Sequence, residues 1–439
     1  MKILHLLQNS LPQISGSTIR TKYIFKYQKK FSKIIAHTSY LFEKSSYDFE
    51  IIERVPYYRI NKKLSTFFRF YRKIIINFNS LIYLFFGIDI ENKLQDFIIS
   101  LYSRNYINKL VDYYKVDIIH GHSVYLAVKY GLKIAKKKKI PLIYEVRGFI
   151  EENILANAYM KAVNKKLLMY NHQSVKKNET LLMKNADLII TLSDFMKNEI
   201  IQRGIDSSKI RIIPNGTDVH QLKPIETDIE LIKELELDGH FILGFIGRMI
   251  WYEGINILLK AIPSIVKQHQ KIKILLIGKI ENDYLKYLKN IIDDLKISKY
   301  VLFIGPIPHK DISRYYSIID LIVLPRLNFK VGRLVTPLKP LESMAFKRLV
   351  IASDFPAFRY TIIPHKTGDL FTAEDSEDLA LKILYYINNP EEKLKIENYA
   401  RHYVEENFNW EKIVANYENI YKELINRKEI PKKSDIECI

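Results

Sequence analysis

The chain has 439 residues, 48% of them hydrophobic, and 68 Lys and Arg against 49 Asp and Glu give a formal net charge of +19. That length exceeds what one core organises and predicts two domains, while a mean hydropathy of −0.11 describes a soluble globular protein. The positive surplus favours anionic partners such as nucleic acid, acidic lipid or phosphorylated substrates, and the sole cysteine, Cys438, excludes an intramolecular disulfide.

Lys2 to Leu7 is too short and too soon interrupted by Gln8, Asn9 and Ser10 for a signal peptide, and reads as a first strand. Ser15-Gly16-Ser17-Thr18 follows it and precedes a helical pattern beginning near Ile19. Gly16 would let the backbone approach a phosphate, with Ser17 or Thr18 as helix N-cap. From Arg59 to Phe86, basic residues alternate with aromatics. This composition fits a helix lying in an anionic membrane interface, and equally a solvated helix that packs its aromatics inward. The apolar stretch from Ile74 to Ile90 is broken by Asn77, Asn79, Ser80, Gly87 and Asp89, so no membrane span is predicted.

Short β-branched runs then alternate with amphipathic stretches: Ile34 to Ala36, Asp117 to His120, Leu142 to Val146, Asp187 to Thr191 and Arg211 to Ile213. The rhythm restarts at Phe241 to Ile246, Lys273 to Ile277, Val301 to Ile304, Leu321 to Leu324 and Leu349 to Ile351. Such βαβ alternation predicts an α/β chain of two doubly wound, Rossmann-like domains with parallel sheets. The expected boundaries are 1–218, 219–405 and a C-terminal helix and tail over 406–439, with the polar segment Asn215 to Gly239 as the connection. There is no Gly-x-Gly-x-x-Gly to signal a dinucleotide cofactor.

Binding residues in this architecture sit on loops after strands. His122 follows the strand ending at His120 and suits a sugar hydroxyl; Arg147 follows the next and suits a phosphate or carboxylate. In the second half, Arg248 follows Gly247, Arg326 follows Pro325, and Thr336-Pro337-Leu338-Lys339-Pro340-Leu341-Glu342 opens onto a helical segment. A cation cluster at a helix start, with a carboxylate able to grip hydroxyls, is a coherent diphosphate site.

Those pieces resemble a known family. Ser15-Gly16, His120-Gly121-His122, Thr191-Leu192-Ser193, the run from Ile213 to Asp218, Gly247-Arg248, the run from Tyr315 to Asp320, Pro337 to Glu342, Ile351 to Asp354 and His365 to Gly368 occur in the order seen in glycosyltransferases of family 4. The resemblance implies the GT-B fold, with two Rossmann-like domains facing a central cleft and a C-terminal helix, from Trp410 onward, crossing back to the first domain. It implies a retaining, metal-independent hexosyltransferase without cofactor, using a nucleotide-diphosphate sugar as donor. It also implies Glu342 on the donor ribose, Arg248 and Lys339 on the diphosphate, Gly16 close to it and His122 near the transferred sugar. His122, Arg248 and Lys339 are then the expected catalytic residues; Asn215, Arg326 and Thr336 join Gly16, Arg248, Lys339 and Glu342 at the donor, and Arg147 is assigned to the acceptor.

Two positions depart from the family pattern. Leu334 stands where the first of two glutamates is usual, and Glu253 where a lysine usually follows the Gly-Arg pair. The Pro-x-Lys-x-x-Glu motif resembles that of a subset linked to cell-surface polysaccharides. The expected function is sugar transfer to a glycan or lipid-linked acceptor in surface polysaccharide or glycolipid synthesis, in the cytoplasm, with the inner membrane face as a possible station. The alternative is a non-catalytic GT-B protein binding a nucleotide sugar or lipid as a partner subunit. No recognition helix, zinc spacing or aromatic-basic sheet motif supports a nucleic-acid partner.

Overall fold

The computed structural model describes residues 1–13, 15–38, 48–59, 103–123, 125–159 and 164–429. The chain forms two compact units, one of Met1–Ile154, Ala162–Pro214 and Trp410–Ile439, the other of Leu155–Lys161 and Asn215–Asn409.

The first unit is built on β1 (Lys2–Leu7), β2 (Lys33–Thr38), β3 (Phe49–Ile52), β4 (Val55–Arg59), β5 (Ile118–His122), β6 (Leu142–Glu145), β7 (Leu188–Thr191) and β8 (Ile210–Ile212). They line up in the order β3-β4-β2-β1-β5-β6-β7-β8. Only β3 and β4 run antiparallel. The central strands are buried on both faces, as a sheet covered by helices requires, and are apolar apart from residues such as His5, His120, His122 and Glu145. Register does the chemical work: His5 lies opposite His120, and His122 opposite Glu145. The strand order reverses at β1 and β5, and ligands in such sheets bind at that switch.

The second unit carries β9 (Phe241–Ile246), β10 (Ile272–Ile277), β11 (Val301–Gly305), β12 (Leu321–Leu324), β13 (Leu349–Ser353) and β14 (Asp369–Phe371), in the order β11-β10-β9-β12-β13-β14. Every pair is parallel. Its switch lies between β9 and β12, whose following loops carry Arg248, Glu253 and Arg326.

The apolar runs read from the sequence all form strands. The hairpin β3–β4 and the three-residue β14 give no such signal, because β3 alternates between exposed and half-exposed residues and β14 is short. The first helix, Gly16–Gln28, starts earlier than expected. Its N-cap is Ser15, not Ser17 or Thr18; Ser15 and Thr18 satisfy each other's backbone N–H in a reciprocal capping box.

Asn215 to Gly239 is not a loose connector either. The main stretch of the second unit begins at Asn215, and Arg401 donates to the carbonyls of Val219 and Leu222 at 2.8 and 2.7 Å, tying the start of the segment to the helix Pro390–Asn407. The last helix, Trp410–Glu429, belongs to the first unit, where it packs on Gly16–Gln28 with the Trp410 and Tyr23 rings stacked 6.0 Å apart.

No helix among the described residues is long and apolar enough to cross a membrane. Most of the basic-aromatic segment from Arg59 to Phe86, the apolar stretch 74–90 and Cys438 lie outside the described residues. Arg59 itself is not a membrane-facing cation. It is buried at the end of β4, donating to Glu50 and to the carbonyl of Leu11, both at 2.7 Å.

Candidate functional site

In the first unit the site grows around one carboxylate. Glu145 ends β6 fully buried, an ionised group in an otherwise apolar strand. Burial raises the energy of its charged form, yet Arg147 and Arg20 outweigh that and hold the carboxyl well below the usual range. Arg20 Nε and Arg147 Nε both donate to Oε1 at 2.8 Å, and the Tyr417 hydroxyl donates to Oε2 at 2.9 Å. Arg20 also donates to the carbonyls of Ile213 and Pro214 and to Tyr417.

The expected residues His122 and Arg147 sit on this base. Arg147 donates to the Ser17 carbonyl at 3.0 Å and the Thr21 hydroxyl at 2.6 Å, and its Nη2 lies 2.6 Å from His122 Nδ1. His122 Nε2 is 2.8 Å from His5 Nδ1, and His120 Nδ1 is 2.9 Å from the Tyr421 hydroxyl. Burial above all pushes His5, His120 and His122 toward the neutral form; Arg147 adds to it, and Glu145 opposes it without prevailing. A guanidinium only donates, so His122 Nδ1 accepts from Arg147 and Nε2 carries the proton toward His5, which fixes the tautomer and engages both ring nitrogens within the protein. Arg147 likewise spends its guanidinium on the protein as well as lining the site. Gly16 lies at the first turn of its helix, next to Ser17.

Gln8, Ser17, Thr21, His122, Arg147 and Asn153 border a cavity of about 170 Å³ in this unit. Its rim is rich in hydroxyl, amide and imidazole groups, the inventory that recognises hydroxyls. The three histidines also place potential metal-ligating atoms within 4.8 Å of one another. Two guanidiniums against one carboxylate leave the cluster net positive, so its electrostatics favour an anion or a neutral polyol over a cation.

In the second unit, Lys339 opens the helix Lys339–Ala345, with Pro340 in its first turn. Its Nζ donates to Glu253 Oε2 at 2.8 Å and lies 4.2 Å from the centre of the Phe245 ring. Arg326 approaches Glu253 Oε1 at 3.5 Å and donates to the Val335 carbonyl at 3.0 Å, while its Nε is buried with no partner. Lys339 and Arg326 hold the Glu253 carboxyl below its ordinary value despite burial; burial in turn pulls the Lys339 ammonium down.

Glu342 lies one turn further along. Its half-buried carboxyl accepts no hydrogen bond and joins no ion pair among the described residues, and burial pushes it up to about 7. A carboxyl kept without a partner at this cost marks a candidate binding group. Arg248, at the end of the β9 loop, is 63% exposed and pairs with Glu281 at 2.6 Å. Asn215 and Thr336 come together, Asn215 Nδ2 donating to the Thr336 carbonyl at 2.8 Å. Both are buried, so they brace the loop before Lys339 rather than presenting free polar groups. Arg333 stands exposed on the short helix Lys330–Leu334, away from the Glu253 ion pairs.

Sequence reasoning missed Glu145, Arg20, Tyr417 and Tyr421. A signal existed: a glutamate inside the apolar run Leu142-Ile143-Tyr144-Glu145 demands a buried cation, and two tyrosines four residues apart share one helix face.

Comparison with known proteins agrees with this layout. The profile described as Glycosyl transferases group 1 matches residues 227–403, and that described as Glycosyltransferase Family 4 matches residues 87–221. An uncharacterized glycosyltransferase of Methanocaldococcus jannaschii is 26% identical over 298 residues, covering 66% of this chain and 70% of its own length. The lipopolysaccharide core biosynthesis mannosyltransferase LpcC of Rhizobium leguminosarum is 27% identical, covering 49% of this chain and 60% of its own. Among solved structures, Anabaena HepE in complex with UDP superposes with a TM-score of 0.70 at 17% identity, covering 96% of this chain and all of that one. The two complementary profiles and the shared fold show that the chain belongs to the family 4 glycosyltransferases of the GT-B fold.

Proposed function

We propose that this glycosyltransferase is a retaining, metal-independent hexosyltransferase that moves a sugar from a nucleotide-diphosphate donor to a glycan or lipid-linked acceptor. The observation that carries this reading is the second unit's partnerless Glu342 carboxyl beside a lysine–arginine pair with unspent donors. Glu342 accepts the ribose hydroxyls, while Lys339, Arg326 and Arg248 bind the diphosphate. HepE, of the same fold, was crystallised with UDP, which supports a nucleoside diphosphate as ligand.

In the reaction, the bond between the anomeric carbon and the phosphate oxygen breaks and a bond to the acceptor oxygen forms on the same face. The electron pair leaves on the phosphate, where side-chain cations stabilise it. The acceptor's hydroxyl proton passes to that departing phosphate oxygen, so no divalent ion and no separate protein base are required. The His122 cavity, with its hydroxyl-binding rim, is assigned to the sugar-bearing substrates. LpcC, a lipopolysaccharide core mannosyltransferase, supports a surface glycan or lipid-linked acceptor. The net charge of +19 supports work in the cytoplasm beside an anionic membrane face.

A thermal-shift screen with EDTA present tests the donor half. A nucleoside diphosphate or nucleotide sugar bound by the native state raises the melting temperature with concentration. Transfer from the nucleotide sugar found in this way, with the product's anomeric configuration read by NMR, tests the rest. The absence of any nucleotide-dependent shift, or an inverted product, would overturn the proposal.

A further inference from the structure

The loops after β9 and β12 are locked together before either meets a ligand. Gly254 adopts φ +70, and a Cβ there would come within 1.8 Å of the Pro325 carbonyl oxygen, so only glycine allows this approach. The contact carries Glu253, at the end of the short turn Trp251–Glu253, against Lys339 and Arg326. Gly247, at φ +144, clears the path of the lysine: a Cβ would lie 2.5 Å from Lys339 Cε.

The donors of this cluster do not balance its acceptors. Lys339 carries three N–H donors and gives one to Glu253. Arg326 is buried, yet its Nε has no partner, and its approach to Glu253 at 3.5 Å is an ion pair rather than a hydrogen bond. Two cations face one ionised carboxylate. The cluster is therefore short of negative charge and of acceptor atoms together, and a phosphate group supplies both.

We propose that Glu253 is a positioning residue: it holds the Lys339 ammonium charged and in place, so that the unspent N–H groups of Lys339 and Arg326 meet the diphosphate of a nucleotide. This rests on the reading of the second unit as a nucleoside-diphosphate site and assigns Glu253 a part in it. Glu253 is not itself a diphosphate ligand, because its carboxylate would repel one. Its effect is exerted through the lysine. Burial and Arg326 pull the Lys339 ammonium toward the neutral amine, while Glu253 first and Glu342 second oppose that pull. Tyr252 and Tyr284 also face Glu253, and burial keeps both phenols neutral. Without Glu253, the lysine loses its main counter-charge and releases its proton at lower pH.

The test uses the full chain, with Glu253→Gln, Lys339→Arg and the double variant. Reductive ¹³C-methylation and NMR follow Lys339 without ligand, and calorimetry measures binding of UDP, GDP and ADP from pH 6 to 10. Glu253→Gln is expected to lower the Lys339 titration by at least one pH unit and to move the alkaline loss of nucleotide binding with it, giving about twofold weaker binding than wild type at the new midpoint and about tenfold weaker binding above the wild-type midpoint. The double variant should regain a flat profile, because guanidinium does not titrate in this range. Glu253→Asp keeps the charge and should leave the alkaline limb in place. An unmoved Lys339 titration in Glu253→Gln, or no recovery in the double variant, overturns the proposal. If none of the three nucleotides binds the wild-type chain, the nucleoside-diphosphate reading falls, and the ligand assigned to these donors falls with it.

Discussion

Glu342→Gln separates what the site does from what it costs. In the folded chain burial raises the Glu342 carboxyl from its ordinary 4.5 to about 7. The fold thus binds this proton more tightly than the unfolded chain does. Below pH 4.5 both states are protonated and nothing is lost; between 4.5 and 7 stability falls as pH rises, and above 7 the loss is complete. At about 1.4 kcal/mol for each tenfold change in proton affinity, the loss is about 3 kcal/mol. Glutamine has nearly the shape of the protonated acid and never ionises. The variant should therefore match wild type near pH 4.5 and exceed it by up to about 3 kcal/mol at pH 8.5, or about 6 to 12 °C in melting temperature for a unit of this size. The chain's two tryptophans fall one in each unit, Trp251 in the second and Trp410 in the first. In a Trp410→Phe background, Trp251 fluorescence during urea unfolding reports the second unit alone. Nucleotide binding should fall in the same variant. A variant less stable than wild type at pH 8.5, or a difference that does not change with pH, would refute the reasoning.

Arg248→Ala should leave stability within about 0.5 kcal/mol, since its pair with Glu281 is exposed, and lower turnover about a hundredfold in a sugar-transfer assay. Tyr417→Phe removes a donor from buried Glu145 and an acceptor from Arg20. Urea unfolding followed by Trp410 fluorescence in a Trp251→Phe background should show a loss of about 1 to 3 kcal/mol. His37 is buried against the Tyr106 ring with its Nδ1 unpartnered, and burial lowers it from 6.5 to about 4. Its neutral form is the one folded, so its contribution is intact above pH 6.5 and is lost as pH falls to about 4. A His37→Gln variant should show about 3 kcal/mol less acid destabilisation across that window.

The sheets were legible because buried parallel strands leave unbroken apolar runs, as Leu275-Leu276-Ile277 and Ile189-Ile190 do. The chemistry at the ends of those strands was legible for the same reason: Arg248 and Arg326 lie on the loops after β9 and β12, and His122 is the last residue of β5, two positions beyond the visible end of its run. The edge hairpin was not, since Phe49 and Ile51 are exposed and carry no pattern of burial. Partnerships across long separations were hidden too. Arg20 and Glu145 are 125 positions apart, and Glu253 and Lys339 are 86 apart; strand register and loop packing, not local sequence, bring them together. Glu253 was visible only as an oddity where a lysine was expected. Its meaning depends on Lys339 approaching over Gly247.

The grip of Arg20 on Ile213, Pro214 and Tyr417 has a consequence for synthesis. The first unit is finished by the last helix, which leaves the ribosome after every residue of the second. Until Trp410–Glu429 emerges, Glu145 lacks its tyrosine, His120 lacks the Tyr421 hydroxyl, and the apolar face of Gly16–Gln28 that Trp410 covers stays open. Vectorial folding from the N-terminus is thereby reversed in its final step: the second unit is free to fold first, and the first closes only when the chain returns to it. A released chain truncated after Asn409 should present a protease-resistant second unit and a labile first one, whereas in the full chain both should resist.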